Sequence, residues 1–271
     1  MKQENNEIVI SQKEYTDSIQ PISVPKLPES EKHKVVNDPK LHRAFRCIVG
    51  QISWAAGVSR PDAAFNACIL STCQAQPTCR NLLDANKALR DLKSSDIRIS
   101  YPCMDLKSIQ IVVYADASYG NLPNGGSMGG HIVFLSDTNG ACAPISWSSK
   151  RIPRVVRSTL AAETLSAVDA MDSAHLSLKV LLEFLPEKKK REIMVSLFTD
   201  NKSLFDLVST SNLTRDKRLR VDVAALREIC EKGEAQIRWI DSMNQIADVL
   251  TKKGAAKTKL LDVLKKAHLT S

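Results

Sequence analysis

Two short stretches leave a bare carboxylate where a β-run ends: "VVYADAS" (112 to 118), carrying Asp116, and "SLFTDNKS" (196 to 203), carrying Asp200. Burying an unpaired carboxylate costs on the order of several kcal/mol, so an acid at such a place needs a reason. Taken singly, an Asp just past a strand is a turn or helix-cap residue. Glu163 alone reads as a solvated helix residue, and Asp248 as a charge suited to a helix N-terminus. Taken together, the four acids could converge with no His or Cys beside them. Converging carboxylates repel and stay ionised only if cations lie between them. Oxygen-only ligands select Mg²⁺, with Mn²⁺ as a substitute, over zinc. Two such ions about 3.5 to 4 Å apart can hold the attacking water and the leaving oxygen of an in-line displacement at phosphorus. Asp116, Glu163, Asp200 and Asp248 are therefore the candidate catalytic and metal-holding residues.

For the acids to meet, the chain must bring their elements together. Ile109 to Tyr114 forms an apolar run ending at Asp116, followed by the turn-rich "GNLPNGG" and the strand-like stretches "SMGGHIVFL" (127 to 135) and "ACAPISWSS" (141 to 149). Short turns make these three strands an antiparallel meander. A long helical pattern follows, with Leu160, Ala167, Val168, Met171, Ala174 and Leu178 on one stripe and Ser158 as N-cap. It leads to a fourth strand, "IMVSLFT" (193 to 199), and so reads as the crossover of a parallel βαβ unit, which sets Asp116 and Asp200 on neighbouring strand ends. Helices at 201 to 208 and 219 to 232, a fifth strand at 235 to 241 and a helix at 244 to 253 complete the pattern. The expected fold class is α/β: a five-stranded mixed sheet, three antiparallel strands then parallel ones, flanked by helices.

Ahead of this lies different material. Residues 39 to 104 carry apolar positions at helical spacing (Phe45, Ile48, Val49, Ile52; Phe65, Cys68, Ile69; Leu82, Leu89, Leu92), broken at "SRPD" and "AQPT". They predict a small segment of three short helices. Residues 1 to 38 mix Pro, Ser, Glu and Lys without an apolar period and read as a flexible leader. The sheet domain then spans 105 to 254, with a helical tail over 255 to 271.

The chain has 271 residues and a formal charge of +8, which leans toward an anionic partner. It has neither a secretory signal nor an apolar run of the ~18 residues a membrane span needs, so no membrane partner and an intracellular location, cytoplasmic or nuclear, are expected. Seven cysteines sit mostly in apolar runs without CxxC spacing and read as buried free thiols. Trp147 and Trp239 fall within predicted strands and read as core, whereas Tyr119, just past Asp116, reads as exposed.

With these residues in view, the chain resembles the ribonuclease H part, with its preceding connection segment, of copia-type LTR retrotransposon Pol polyproteins. "VVYADASYGN", "ISWSSKRIPRVVRSTLAAET", "LFTDNKSL" and "RWIDSMNQIADVLTKK" are similar, in order, to that family's four motifs, the last with an Ala-Asp pair preceding a Thr-Lys. "FRCIVGQISWAAGVSRPDAAFNACILS" and "ANKALRDLKSS" resemble the connection segment. The resemblance carries the family's metal-binding acids onto Asp116, Glu163, Asp200 and Asp248. It implies hydrolysis of the RNA strand of an RNA/DNA hybrid and makes a reverse transcriptase polypeptide a candidate partner. The chain departs from the family at Ser118 and Ala161, where relatives often carry further acids. Arg218 and Ala224 replace family histidines, and the His of cellular ribonucleases H before the last Asp is missing from "DSMN". Polymerase Tyr-x-Asp-Asp, protease and integrase motifs are absent, so copying of RNA by this chain alone is not expected.

A hybrid presents phosphates and 2′-hydroxyls along a wide minor groove, read by shape and basic side chains. Arg215, Lys217, Arg218 and Arg220 in "RDKRLR" are candidate phosphate contacts. Lys150 and Arg151, in the segment running toward Glu163, and Ser118 and Asn201, beside the strand-end acids, complete the candidate nucleic-acid contacts. "KKKR" (188 to 191) reads as a solvated turn. The rival readings are a non-catalytic nucleic-acid-binding or scaffold remnant and, less well matched, an integrase or resolvase of the same fold.

Overall fold

The computed structural model describes residues 2–4, 7–122, 125–185, 193–210, 214, 216–269. It divides into two compact units, one of residues 10–98 and one of residues 2–9 with 99–271.

The first unit is helical. Asp38 caps α2 (Pro39–Val58) by accepting the Lys40 N–H at 2.8 Å, with Pro39 at the first helical position, where its missing N–H costs nothing. After α2 come α3 (Ala64–Thr72) and α4 (Cys79–Ser94), the latter opened by a capping box between Thr78 and Asn81. Their apolar faces meet around Phe45, Ile48, Ile52, Leu82 and Leu89. The expected leader is not a leader. It contains α1 (Lys13–Ser18), and Ile19, Ile22 and Val36 are buried in the helical core. Asn86 holds the Ile22 backbone through both its N–H and its C=O, each at 2.8 Å. Such irregularly spaced apolar residues have no period to read, because their partners lie on α2 and α4. A buried ion pair, Arg60 to Asp62 at 2.8 Å, is further satisfied by the Leu92 carbonyl at 2.6 Å.

The second unit holds two sheets. Strands β1 (Lys2–Glu4), β2 (Glu7–Ile10) and β3 (Ile99–Tyr101) form a small one, whose first two strands again fall within the expected leader and which moves the start of this unit ahead of residue 105. The main sheet is built from β4 (Gln110–Ser118), β5 (Met128–Ser136), β6 (Cys142–Arg151), β7 (Val195–Thr199) and β8 (Ala235–Trp239), in the order β6-β5-β4-β7-β8. The β4–β5 and β5–β6 pairs are antiparallel, and the β4–β7 and β7–β8 pairs are parallel. This is the mixed α/β architecture expected. Crossover helix α5 (Thr159–Phe184), capped by Ser158 as predicted, packs Ala167, Ala170, Met171 and Ala174 on Ile111, Val113 and Ala115 of β4. Helices α6 (Lys202–Ser209) and α7 (Arg220–Glu231) separate β7 from β8.

Three sequence expectations need correction here. Residues 244 to 253 do not form a regular helix but two 3₁₀ turns, Ser242–Asn244 and Ile246–Leu250. Gln245 imposes the break: its Nε2 donates to the Ala115 carbonyl at 2.9 Å while its Oε1 accepts the Ala247 N–H, pinning the turn to β4. Trp239 is not core. It is 47% exposed on the last strand, and its Nε1 donates to the Asp200 carbonyl at 3.1 Å. Of the free thiols, Cys79 and Cys142 are buried, but Cys47 and Cys103 are exposed. The predicted tail forms α8 (Thr258–Lys266), whose Leu260 and Leu264 are buried. No helix among the described residues is long and apolar enough to cross a membrane.

Candidate active site

Central strand β4 sets the position of everything at the site. Tyr114 of β4 lies opposite Phe198 of β7 in the parallel register, and their rings stack with centroids 5.1 Å apart. Two residues further along each strand stand Asp116 and Asp200, on the same face because strand side chains alternate. Asp248 comes from the turn after β8. Carboxylate oxygens of Asp116, Asp200 and Asp248 lie within 4.8 Å of one another. Glu163 is buried one turn into α5 and accepts the Ala117 N–H. It is outside that tight trio but close enough for Asp116 and Asp200 to act on its ionisation.

Burial pushes Asp116 up to about 7, against the pull of Lys252 and the Thr251 hydroxyl, and with further upward pressure from Asp248 and Asp200. Burial pushes Glu163 up to about 9, and the charges on Asp116 and Asp200 add to this. The site thus holds more acid than its own cations neutralise.

Lys252 was not among the residues singled out for a role. Its Nζ lies 2.6 Å from Asp248 Oδ1 and 3.4 Å from Asp116 Oδ1. Partial burial disfavours the ammonium, but Asp116 and Asp248 outweigh it and hold the group above the usual lysine range. The adjacent Thr251 hydroxyl donates to Asp116 Oδ2. The signal that could have found Lys252 is its i+4 spacing from Asp248, which puts two side chains on one face of a helical turn.

The turn reaches the acids because Gly130 of β5, directly opposite Asp116, has no side chain. A Cβ there would stand 2.6 Å from Leu250 Cβ and 2.8 Å from Thr251 Cγ2. Ser149 Oγ holds the same turn by donating to the Leu250 carbonyl at 2.6 Å.

The candidate nucleic-acid contacts are placed less uniformly. Ser118 is buried, with a hydroxyl that has no hydrogen-bond partner, on the face of β4 that carries Asp116. Asn201 is the N-cap of α6 and accepts the Leu204 N–H at 2.9 Å, a structural duty that its position after a strand disguises. Lys150 is half-exposed and paired to Asp169 of α5 at 2.9 Å, and Arg151 is exposed at the end of β6. Lys217, Arg218 and Arg220 are exposed at the entry to α7. Leu219 and Val223 pack against Ala161, which brings this basic turn to the first turn of α5, beside Glu163. Arg215 and the "KKKR" run lie outside the described residues.

Three carboxylates in one shell, with no thiolate or imidazole among them, form an oxygen donor set that suits a hard divalent cation. An ammonium already lies against two of them, which marks the place as one built around positive charge.

No family model matches the chain. Among curated proteins it is 32% identical over 118 residues to a transposon Ty5-1 protein of Saccharomyces cerevisiae, covering 41% of this chain and 35% of that protein. It is 26% identical over 236 residues to the retrovirus-related Pol polyprotein from transposon RE1 of Arabidopsis thaliana, covering 86% of this chain and 15% of that one. The chain therefore spans about a third or less of the length of these relatives. Among solved structures, RNase H1 from Halobacterium salinarum shares 18% identity at a TM-score of 0.38, covering 56% of this chain and 98% of the other. The foamy viral protease-reverse transcriptase in complex with RNA/DNA hybrid shares 13% identity at a TM-score of 0.45, covering 90% of this chain and 29% of the other.

The sheet order and strand directions define the class by its fold, which is RNase H-like. In sequence the chain is similar to retrotransposon Pol polyproteins, as its motifs led one to expect.

Proposed function

We propose that this chain is a ribonuclease H that hydrolyses the RNA strand of RNA/DNA hybrids, leaving a 3′-hydroxyl and a 5′-phosphate. One observation carries the reading: carboxylates from two adjacent parallel strand ends and a distant turn converge within 4.8 Å. Asp116, Asp200 and Asp248, with Glu163 beside them, would hold Mg²⁺, with Mn²⁺ as a substitute. Two ions there would supply Lewis acidity at the phosphoryl oxygens and an activated water.

The chain's own residues do the rest. Thr251 and Ser166 orient Asp116 through its side chain and its backbone. The basic turn Lys217–Arg220, with Arg151 and Arg215, would meet the phosphates of the duplex, and the shared first turn of α5 aligns that contact with Glu163. The similarity to Pol polyproteins supports a reverse transcriptase polypeptide as partner, and an intracellular setting is proposed with it.

The test is cleavage of a labelled RNA/DNA hybrid with Mg²⁺ or Mn²⁺, beside duplex RNA and duplex DNA, for the wild-type chain and Asp200→Asn. Hybrid-only cutting that disappears in the variant upholds the reading. Tight hybrid binding without cutting by either ion would instead favour a non-catalytic binding module.

A further inference from the structure

We propose that Lys252 is a built-in counter-ion: in the metal-free protein its ammonium occupies the space between Asp116 and Asp248, and a divalent ion must displace it to bind. The inference rests on the metal-site reading above and adds to it a competitor encoded in the chain.

The geometry supports it in three ways. Both oxygens of Asp116 are already engaged by the chain itself, Oδ2 by the Thr251 hydroxyl and Oδ1 by Lys252 Nζ. Lys252 also makes a 2.6 Å contact with Asp248, so the ammonium touches two of the three acids that would ligate an ion. A dication placed among those oxygens would stand within a few ångströms of the ammonium, where like charges in a half-buried site repel strongly. Sharing the site is therefore unfavourable, and one cation must leave.

Lys252 can leave cheaply. Its side chain is 39% exposed, so the ammonium can reach solvent by rotating its stem. Thr251 and Asp116 cannot do the same, because both are 1% exposed. The arrangement keeps the acids from repelling one another when no metal is present, and it sets a threshold concentration for metal loading. Lys252 is thus a positioning residue for Asp116 and Asp248 rather than a catalytic one.

The experiment uses the full chain without nucleic acid. Mn²⁺ binding is measured by calorimetry, and melting temperature is followed in EDTA and in Mn²⁺, for wild type, Lys252→Met, Lys252→Gln, Lys252→Arg and the neighbouring exposed Lys253→Met. Expected are Mn²⁺ affinities roughly fivefold tighter in Lys252→Met and Lys252→Gln, the scale of a partly exposed ion pair, and near wild type in Lys252→Arg and Lys253→Met. Lys252→Met should also melt lower than wild type in EDTA and gain more from Mn²⁺. With ¹⁵N-lysine labelling, the Lys252 Nζ signal should be protected in EDTA and lost on adding Mg²⁺.

Wild-type affinity in both neutral variants would overturn the proposal, as would an equal gain in Lys253→Met, which would reduce the effect to net charge. In those cases Asp200→Asn, by weakening Mn²⁺ binding, would leave the metal site itself standing. Absence of Mn²⁺ binding in wild type would bring down the metal reading and this inference with it.

Discussion

The hydroxyl of Ser166 donates to the backbone carbonyl of Asp116 at 2.7 Å and accepts the N–H of Gly130 at 3.2 Å. One small side chain on α5 thus clamps the ends of β4 and β5, one turn after Glu163 on the same helix. Ser166→Ala would leave these buried backbone groups without that partner, at a cost of about 1 to 2 kcal/mol. Chemical denaturation should show that loss. Hybrid cleavage should fall more than hybrid affinity, because alignment of Asp116 with Glu163 is what the clamp secures. Wild-type stability in the variant would contradict the assignment.

Glu163 makes the metal-free protein pH-sensitive. Its folded-state value, about 9, lies above its ordinary value, 4.5, so the stability it contributes is fully present below about 4.5 and is lost as pH rises toward 9. Asp116, raised to about 7 from 3.8, works in the same direction over its own lower window. Glu163→Gln should therefore raise the melting temperature in EDTA at pH 8, by the equivalent of about 1 to 3 kcal/mol, and do little near pH 4. It should also weaken metal-dependent cleavage. An unchanged melt at pH 8 would remove Glu163 from the buried acidic site.

Gly130→Ala tests the close approach of the closing turn. The new Cβ would overlap Leu250 Cβ at 2.6 Å and press on the Leu250 backbone carbon at 3.2 Å. Overpacking of this kind costs about 1 to 3 kcal/mol. Because Thr251 and Lys252 ride on that turn, cleavage should drop beyond what the lost stability explains. Cleavage unaffected in a destabilised variant would mean that the turn does not position Asp116.

The basic entry to α7 should act through phosphates. Replacing Lys217 and Arg218 together by Ala should flatten the plot of log affinity for hybrid against log salt by about 1 to 2 units, close to 0.9 or less per charge. Lys150→Ala should change the slope less, since its ammonium is already committed to Asp169 at 2.9 Å. Asn201→Ala should leave the slope alone and cost about 1 kcal/mol of stability as a lost helix cap. A slope unmoved by the double change would place the duplex elsewhere.

Much of the sheet unit was legible because its signals are local. Alternation and turn chemistry mark β4, β5 and β6, a helical stripe opened by Ser158 marks α5, and the parallel crossover rule alone sets Asp116 beside Asp200. What was misread has its cause at a distance. Ile19 and Ile22 look like linker residues until Asn86 and the α4 face are in place, and Trp239 looks like core until β8 proves to be an edge strand.

The sequence by itself determined the order of elements and the presence of four acids at strand and helix ends, because periodicity and capping are properties of neighbouring residues. Only the tertiary structure decided what surrounds those acids. Gln245 reaches the Ala115 carbonyl across 130 positions and turns an expected helix into a 3₁₀ turn. Gly130 admits that turn, and Lys252 arrives between Asp116 and Asp248 as their counter-charge. Electrostatic complementarity of this kind depends on distances in space, and a pattern of residue types along the chain does not contain them.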